Sequence, residues 1–246
     1  MYRYLLFDLD RTLWDFDGNA DITFREMFGV YRLQELCGVD YKEFHDYYRA
    51  VNDVLWEQYR AGTLAKEVLH VRRFMLPLEH FGCTPDRVSA LTGCRSVAAL
   101  SLQLGDYYVN EGPRQTGLMP GARHLLDYLA GKSCYELDII TNGFSEAQLP
   151  KMHSSDIYRY FRRFFLSEDL GHHKPDPRFF EAVLQQLSVR PEECLVIGDD
   201  FAVDMAGARR VGIPQLFYNR ERRYQGPYPF RPTMEVSSLC DIERIL

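Results

Sequence analysis

The sequence holds no Cys-x-x-Cys pair. Its six cysteines, Cys37, Cys83, Cys94, Cys134, Cys194 and Cys240, are scattered along 246 residues, a chain far larger than the small secreted scaffolds that disulfides staple. Free, mostly buried thiols in a reducing cytosol are the expectation, and the protein is expected to be cytoplasmic. Positive charge is not in excess either. There are 29 Lys and Arg against 35 Asp and Glu, for a formal net charge of -6. The densest basic stretch, Arg220, Arg222 and Arg223, is interrupted by Glu221, so a nucleic-acid polymer is not an expected partner. Long apolar runs are missing as well. Tyr4-Leu5-Leu6-Phe7 gives way at once to Asp8 and Asp10, which is too short for a signal peptide or a membrane span and reads as a buried strand. No internal repeat or low-complexity tract stands out.

With 46% hydrophobic and 14% aromatic residues, the chain has the material for a large core. Short β-type runs at Tyr4 to Asp8, Leu137 to Thr141, Phe164 to Ser167, Cys194 to Gly198 and Gln215 to Tyr218 are separated by helical patterns, the signature of an α/β protein with a parallel sheet. The first two runs are more than a hundred residues apart, too far for an ordinary crossover. The interval is helical in pattern: Phe44, Tyr47, Tyr48, Val51, Leu55 and Tyr59 recur at mostly three- and four-residue steps, and Leu64 to Leu78 continues similarly. An all-helical insertion over residues 18–110 is therefore expected, leaving 1–17 and 111–246 to the core. Glu111-Gly112-Pro113 is the expected return hinge. Pro120-Gly121 opens a helix carrying Leu125, Leu126 and Leu129.

Acidic residues gather at the carboxyl ends of these runs, where open parallel sheets build their sites. Asp8 and Asp10 stand two residues apart after the first run. One carboxylate there can act as a nucleophile, assigned to Asp8, and the other can give a proton to a leaving oxygen and take one from water, assigned to Asp10. Aspartate is also common in turns, so the pair alone is compatible with a surface turn. After the second run, Thr141, Asn142 and Gly143 offer a hydroxyl, an amide and backbone N–H groups to phosphate oxygens, although the same tripeptide makes an ordinary turn. Lys174 precedes a helix starting near Pro177 and can neutralise a phosphoryl group beside Asp8. His172 and His173 are adjacent and do not share a helix face, which argues against a metal pair. The fourth run leads into Gly198-Asp199-Asp200-Phe201 and on to Asp204. So much acid repels phosphate unless a cation intervenes. Mg²⁺ accepts carboxylates, waters and a substrate oxygen, with Asp8, Asp199 and the main-chain carbonyl of Asp10 as ligands. Asp204 is expected to orient a metal-bound water or pair with Lys174. Asp200 could do the same or cap the next helix.

Taken together, Asp8-x-Asp10-x-Thr12, Thr141-Asn142-Gly143, Lys174-Pro175-Asp176-Pro177 and Gly198-Asp199-x-x-x-x-Asp204 resemble the four motifs of the haloacid-dehalogenase-like superfamily, over nearly the whole chain. The resemblance implies a Rossmann-like, three-layer parallel-sheet core with the inserted helical domain as a cap. It further implies that Asp8 carries the phosphoryl group transiently and that Thr12, Asp200 and Asp204 support the reacting groups. Arg11 stands where that pattern often has glycine. Dehalogenases of the superfamily usually lack the second aspartate, so Asp10 points to phosphate chemistry.

A finer resemblance is to the bacterial pyrimidine 5'-nucleotidases, carried by Asn52-x-x-Leu55-Trp56-x-x-Tyr59-x-x-Gly62, Arg73-Phe74, Thr141-Asn142-Gly143-Phe144 and Val236-Ser237-Ser238-Leu239. It implies a nucleoside monophosphate as the small phosphorylated partner, with Trp14, Asn52, Trp56 and Arg73 as candidates for substrate contact. For Trp56 and Tyr59, at helical spacing, core packing is the competing reading. The core motifs do not separate this activity from a phosphosugar or phosphoglycolate phosphatase or a phosphosugar mutase. The intact set of Asp8, Asp10, Lys174 and Asp199 counts against a non-catalytic binding module.

Overall fold

The computed structural model describes residues 2–246. In chain order its regular elements are β1 (Tyr4–Phe7), α1 (Phe16–Val30), α2 (Leu33–Cys37), α3 (Tyr41–Arg60), α4 (Lys66–His80), α5 (Pro85–Thr92), α6 (Val97–Glu111), α7 (Ala122–Ala130), β2 (Glu136–Thr141), α8 (Ser145–Ser154), β3 (Arg163–Leu166), α9 (Ser167–Leu170), α10 (Pro177–Leu187), β4 (Cys194–Gly198), a π-helical turn (Phe201–Met205), α11 (Ala206–Arg210), β5 (Gln215–Tyr218) and β6 (Met234–Val236). The chain divides into two compact units. One runs up to Asp17 and resumes from Pro113 to Leu246, and the other is Gly18–Gly112.

The first unit is an α/β layer structure. Its strands form a parallel sheet in the order β3-β2-β1-β4-β5-β6, with β1 between β2 and β4, so the strand order reverses at β1 and a crevice opens beyond its carboxyl end. Successive residues of β1 point to opposite faces. Leu5 and Phe7 join a core with Leu125, Leu126 and Leu129 of α7 and Met152 of α8. Leu6 faces a second core with Phe179, Phe180 and Val183 of α10 and Ala208 of α11. Covered on both faces, the central strand β4 is buried at every residue. The sixth strand, β6, has three residues, too few for a period-two pattern to announce it.

The second unit is helical and packs around Phe24, Phe44, Tyr48, Phe74, Leu78 and Leu104. The periodic face of α3 turns inward at Phe44, Tyr48 and Leu55, and its start is capped by Asp40, which accepts from Glu43 N at 2.9 Å. Rings of three helices meet where Tyr48 lies 4.5 Å from Phe24 and 5.0 Å from Phe74. Among the described residues, no helix is long and apolar enough to cross a membrane.

Candidate active site

Asp8, Asn142 and Asp199 follow directly on the ends of β1, β2 and β4, with Asp10 two residues beyond Asp8, and Thr141 is the last residue of β2. Asp8 follows β1 and its N–H donates to Ile197 O of β4 at 2.9 Å, which fixes the aspartate beside the β4 terminus. The chain then winds tightly, with Leu13 N and Trp14 N both donating to Leu9 O. Arg11 adopts φ 66°, the left-handed region that a glycine enters without cost, and this accounts for the glycine usually found there. Arg11 is steadied by donating from Nε to Asp17 Oδ1 at 3.0 Å and by lying 4.5 Å from the Phe16 ring. The winding returns Thr12 over the site, its hydroxyl 3.1 Å from Asp8 Oδ2 and 3.2 Å from Asp199 Oδ1, where it donates to one of the two.

Lys174 is 2% exposed. Its ammonium donates to Asp8 Oδ1 at 2.7 Å, to Asp204 Oδ1 at 2.7 Å and to Ile140 O at 3.0 Å. Burial disfavours that charge, but Asp204 and Asp8 outweigh it and hold the lysine above its ordinary range, fully protonated. Of the two roles open to Asp204, the structure therefore shows the pairing with Lys174. Gly198 makes this possible, because a Cβ there would lie 2.4 Å from Asp204 Oδ2. Asp200 caps the π-helical turn, accepting from Ala202 N at 2.9 Å and Val203 N at 3.0 Å.

Two further donors were not legible in the sequence. Gln148 Nε2 lies 2.8 Å from Asp10 Oδ2 and 2.7 Å from Thr141 Oγ1, and Lys151 Nζ lies 2.7 Å from Asp10 Oδ1. Both belong to α8, where Pro150 reads as a helix breaker. The Thr141 hydroxyl also accepts from Gly143 N at 3.1 Å, which leaves its own proton to donate outward. Asn142, expected to touch phosphate, has its side-chain amide bonded to Lys174. Its Nδ2 donates to Lys174 O and its Oδ1 accepts from Lys174 N, each at 2.8 Å, so the side chain clamps the lysine.

The carboxylates of Asp8, Asp199 and Asp204 lie within 4.8 Å of one another. Asp199 is held well above the usual carboxylate range, first by burial and then by Asp8 and Asp204. Asp8 is raised by burial against the pull of Lys174. Asp204 is pushed up to about 7, by burial first. One ammonium bonded to two of three clustered carboxylates leaves surplus negative charge on hard oxygen donors, a set that fits Mg²⁺. A cavity of about 360 Å³ adjoins them, lined in part by Arg11, Asp199, Asp200 and Arg220.

The model of the haloacid dehalogenase-like hydrolases matches residues 2–212. The chain belongs to that family. Among its relatives is the pyrimidine 5'-nucleotidase PynA of Streptococcus pneumoniae, 31% identical over 98% of this chain and 93% of that one. The pyrimidine 5'-nucleotidase YjjG of Escherichia coli is 29% identical over 100% and 98%. A solved structure of the HAD-hydrolase YfnB from Bacillus subtilis, described as bound to magnesium, superposes with a TM-score of 0.80 at 26% identity, covering 99% of this chain and 98% of that one. This chain is thus an enzyme of the hydrolase class, and its Asp8, Asp10, Thr141, Lys174 and Asp199 stand together at one sheet edge.

Of the four candidates for substrate contact, Trp14 belongs to the first unit, and Asn52, Trp56 and Arg73 belong to the helical one. Trp14 is 2% exposed, within the core of the first unit, and its Nε1 donates to Gln115 O at 3.3 Å. Trp56 packs edge-on to Tyr59 at 5.6 Å. In the helical unit Arg73 is 4% exposed, 5.0 Å from the Tyr108 ring, and its Nε and Asn52 Oδ1 are buried without hydrogen-bond partners among the described residues.

Proposed function

We propose that this hydrolase is a magnesium-dependent phosphomonoesterase that works through a phospho-aspartate on Asp8 and takes pyrimidine nucleoside 5'-monophosphates. The observation that carries the reading is the division of labour between two neighbouring carboxylates. Asp8 is engaged by Lys174 and Thr12, while Asp10 is engaged by Lys151 and Gln148. Different partners suit a nucleophile and a proton carrier, because the two must act at different atoms.

Asp8 attacks phosphorus in line with the departing ester oxygen, and Asp10 gives that oxygen its proton. Lys174 and the Thr141 hydroxyl steady the charge that spreads over the phosphoryl oxygens. Water then attacks phosphorus, Asp10 takes its proton, and Asp8 is released. Asp8, Asp199 and the main-chain carbonyl of Asp10 would hold Mg²⁺, with Asp204 next to them. Bound there, the ion offsets the carboxylates and the phosphate.

The substrate class is supported by likeness to the two nucleotidases over the length of the chain. In the helical unit, taken as the cap, Arg73 Nε and Asn52 Oδ1 are buried without hydrogen-bond partners among the described residues, groups suited to reading the edge of a base. The test is phosphate release from nucleoside monophosphates, sugar phosphates and phosphoglycolate, with Mg²⁺ and with EDTA. The expected result is preference for pyrimidine monophosphates, loss in EDTA, and no turnover by Asp8→Asn. A preferred sugar phosphate would overturn the substrate class, and EDTA-insensitive turnover the metal.

A further inference from the structure

Lys151 and Gln148 lie three residues apart on one face of α8, and together they occupy both oxygens of the Asp10 carboxylate. Stability alone does not call for either. An ammonium 7% exposed and a fully enclosed amide give up hydration on folding, and apolar side chains would pack there at lower cost. Gln148 Oε1 is also buried without a hydrogen-bond partner among the described residues, which adds to the cost of enclosing it. The surroundings are shaped for these two groups. The Trp14 ring centroid lies 4.5 Å from Lys151 Nζ, a face that steadies the cation while leaving its hydrogen bonds to Asp10. Gly143 makes room for Gln148, since a Cβ there would lie 1.9 Å from Nε2.

We propose that Lys151 and Gln148 are positioning residues for the proton transfers of Asp10, a proposal that rests on the phosphomonoesterase reading. In the first half-reaction the bond from Asp8 to phosphorus forms, the bond from phosphorus to the ester oxygen breaks, and the Asp10 proton goes to that oxygen. In the second, the water oxygen bonds to phosphorus, its proton goes to Asp10, and the bond to Asp8 breaks. Asp10 must address the same point both times, and two donors anchored on one helix hold it there. Because Gln148 Nε2 also reaches Thr141 Oγ1, it ties that point to the hydroxyl assigned to the phosphate.

The experiment varies the leaving group. Lys151→Met, Lys151→Arg and Gln148→Met are compared with wild type, all with Mg²⁺, on an alkyl phosphate, whose departing oxygen needs a proton, and on dinitrophenyl phosphate, whose phenolate leaves without one. For Lys151→Met, kcat on the alkyl ester is expected to fall on the order of 100-fold with KM little changed, while the first-turnover burst of dinitrophenolate falls by no more than about threefold. Lys151→Arg should recover most of the loss, and Gln148→Met, which keeps the volume, should show the same selectivity for the alkyl ester. Equal losses on both esters, or none on either, in any variant that unfolds at the wild-type temperature would overturn the proposal. A wild-type enzyme that releases phosphate from neither ester would instead overturn the phosphomonoesterase reading on which it rests.

Discussion

Both ends of the Asn142 amide are bonded to the main chain of Lys174, and this sets the role of a residue that by composition alone suits phosphate. The lysine ammonium must stand between Asp8 and Asp204 within hydrogen-bond reach of each, and its main chain is pinned by Asn142. Asn142→Leu keeps the size and removes both bonds. Since a displacement of about 1 Å in a catalytic group can cost about 100-fold in rate, kcat should fall by about 10- to 100-fold with a smaller change in KM. Steady-state kinetics on a pyrimidine monophosphate checks this, and a larger effect on KM than on kcat would assign Asn142 to the phosphate after all.

At the scale of elements, the site depends on helices that begin where strands end. Helix α10 starts with Asp176 at its N-cap and Pro177 at its first position, and Asp176 Oδ1 accepts from Arg178 N at 2.9 Å. The cap sits two residues after Lys174, so it also fixes where the catalytic loop becomes helix. Asp176→Ala should cost about 1 kcal/mol. The Arg178 guanidinium, donating to Asp176 Oδ2 from Nε at 3.1 Å and from Nη2 at 2.6 Å, is the first cause holding the Asp176 carboxyl down at about 2. A depressed carboxyl stabilises the fold above its unfolded value of about 3.9, and the contribution is lost as pH falls through the folded value. Urea unfolding of wild type and variant should differ most at neutral pH, and the gap should narrow from about pH 4 down through about pH 2; a constant difference would mean that the charge of Asp176 plays no part. Helix α8 matters for a different reason. It turns Gln148 and Lys151 onto Asp10 across 138 and 141 residues of sequence.

For the whole molecule, the acidic cluster sets function against stability. The Asp199 carboxyl is raised, chiefly by burial and then by Asp8 and Asp204. The folded state therefore binds more protons than the unfolded one above about pH 4, and this group's effect on stability worsens as pH rises. In EDTA, Asp199→Asn should unfold at a higher temperature than wild type, and the gap should widen from about pH 4 toward neutrality. Adding Mg²⁺ should raise the wild-type Tm by linkage and leave the variant unmoved. Thermal scans in both conditions decide the point: a variant that still responds to Mg²⁺ would remove Asp199 from the metal site.

The residues at strand ends were legible because each motif is short and continuous. A buried parallel strand must end in a polar turn, and Asp8, Asp10, Thr141, Asp199 and Asp204 lie on or soon after such ends, while Lys174 precedes the start of α10. The sequence by itself determined the α/β class, the helical character of the long insertion and the chemical kinds of group at the sheet edge, since hydrophobic period and local motif depend on near neighbours along the chain. The tertiary structure decided which partner each group takes. It gave the Asn142 amide to the main chain of Lys174, placed Trp14 in the core with its ring against Lys151, and brought the α8 pair to Asp10. Those pairings arise from packing helices onto a sheet, where contacts form between residues that no local spacing connects.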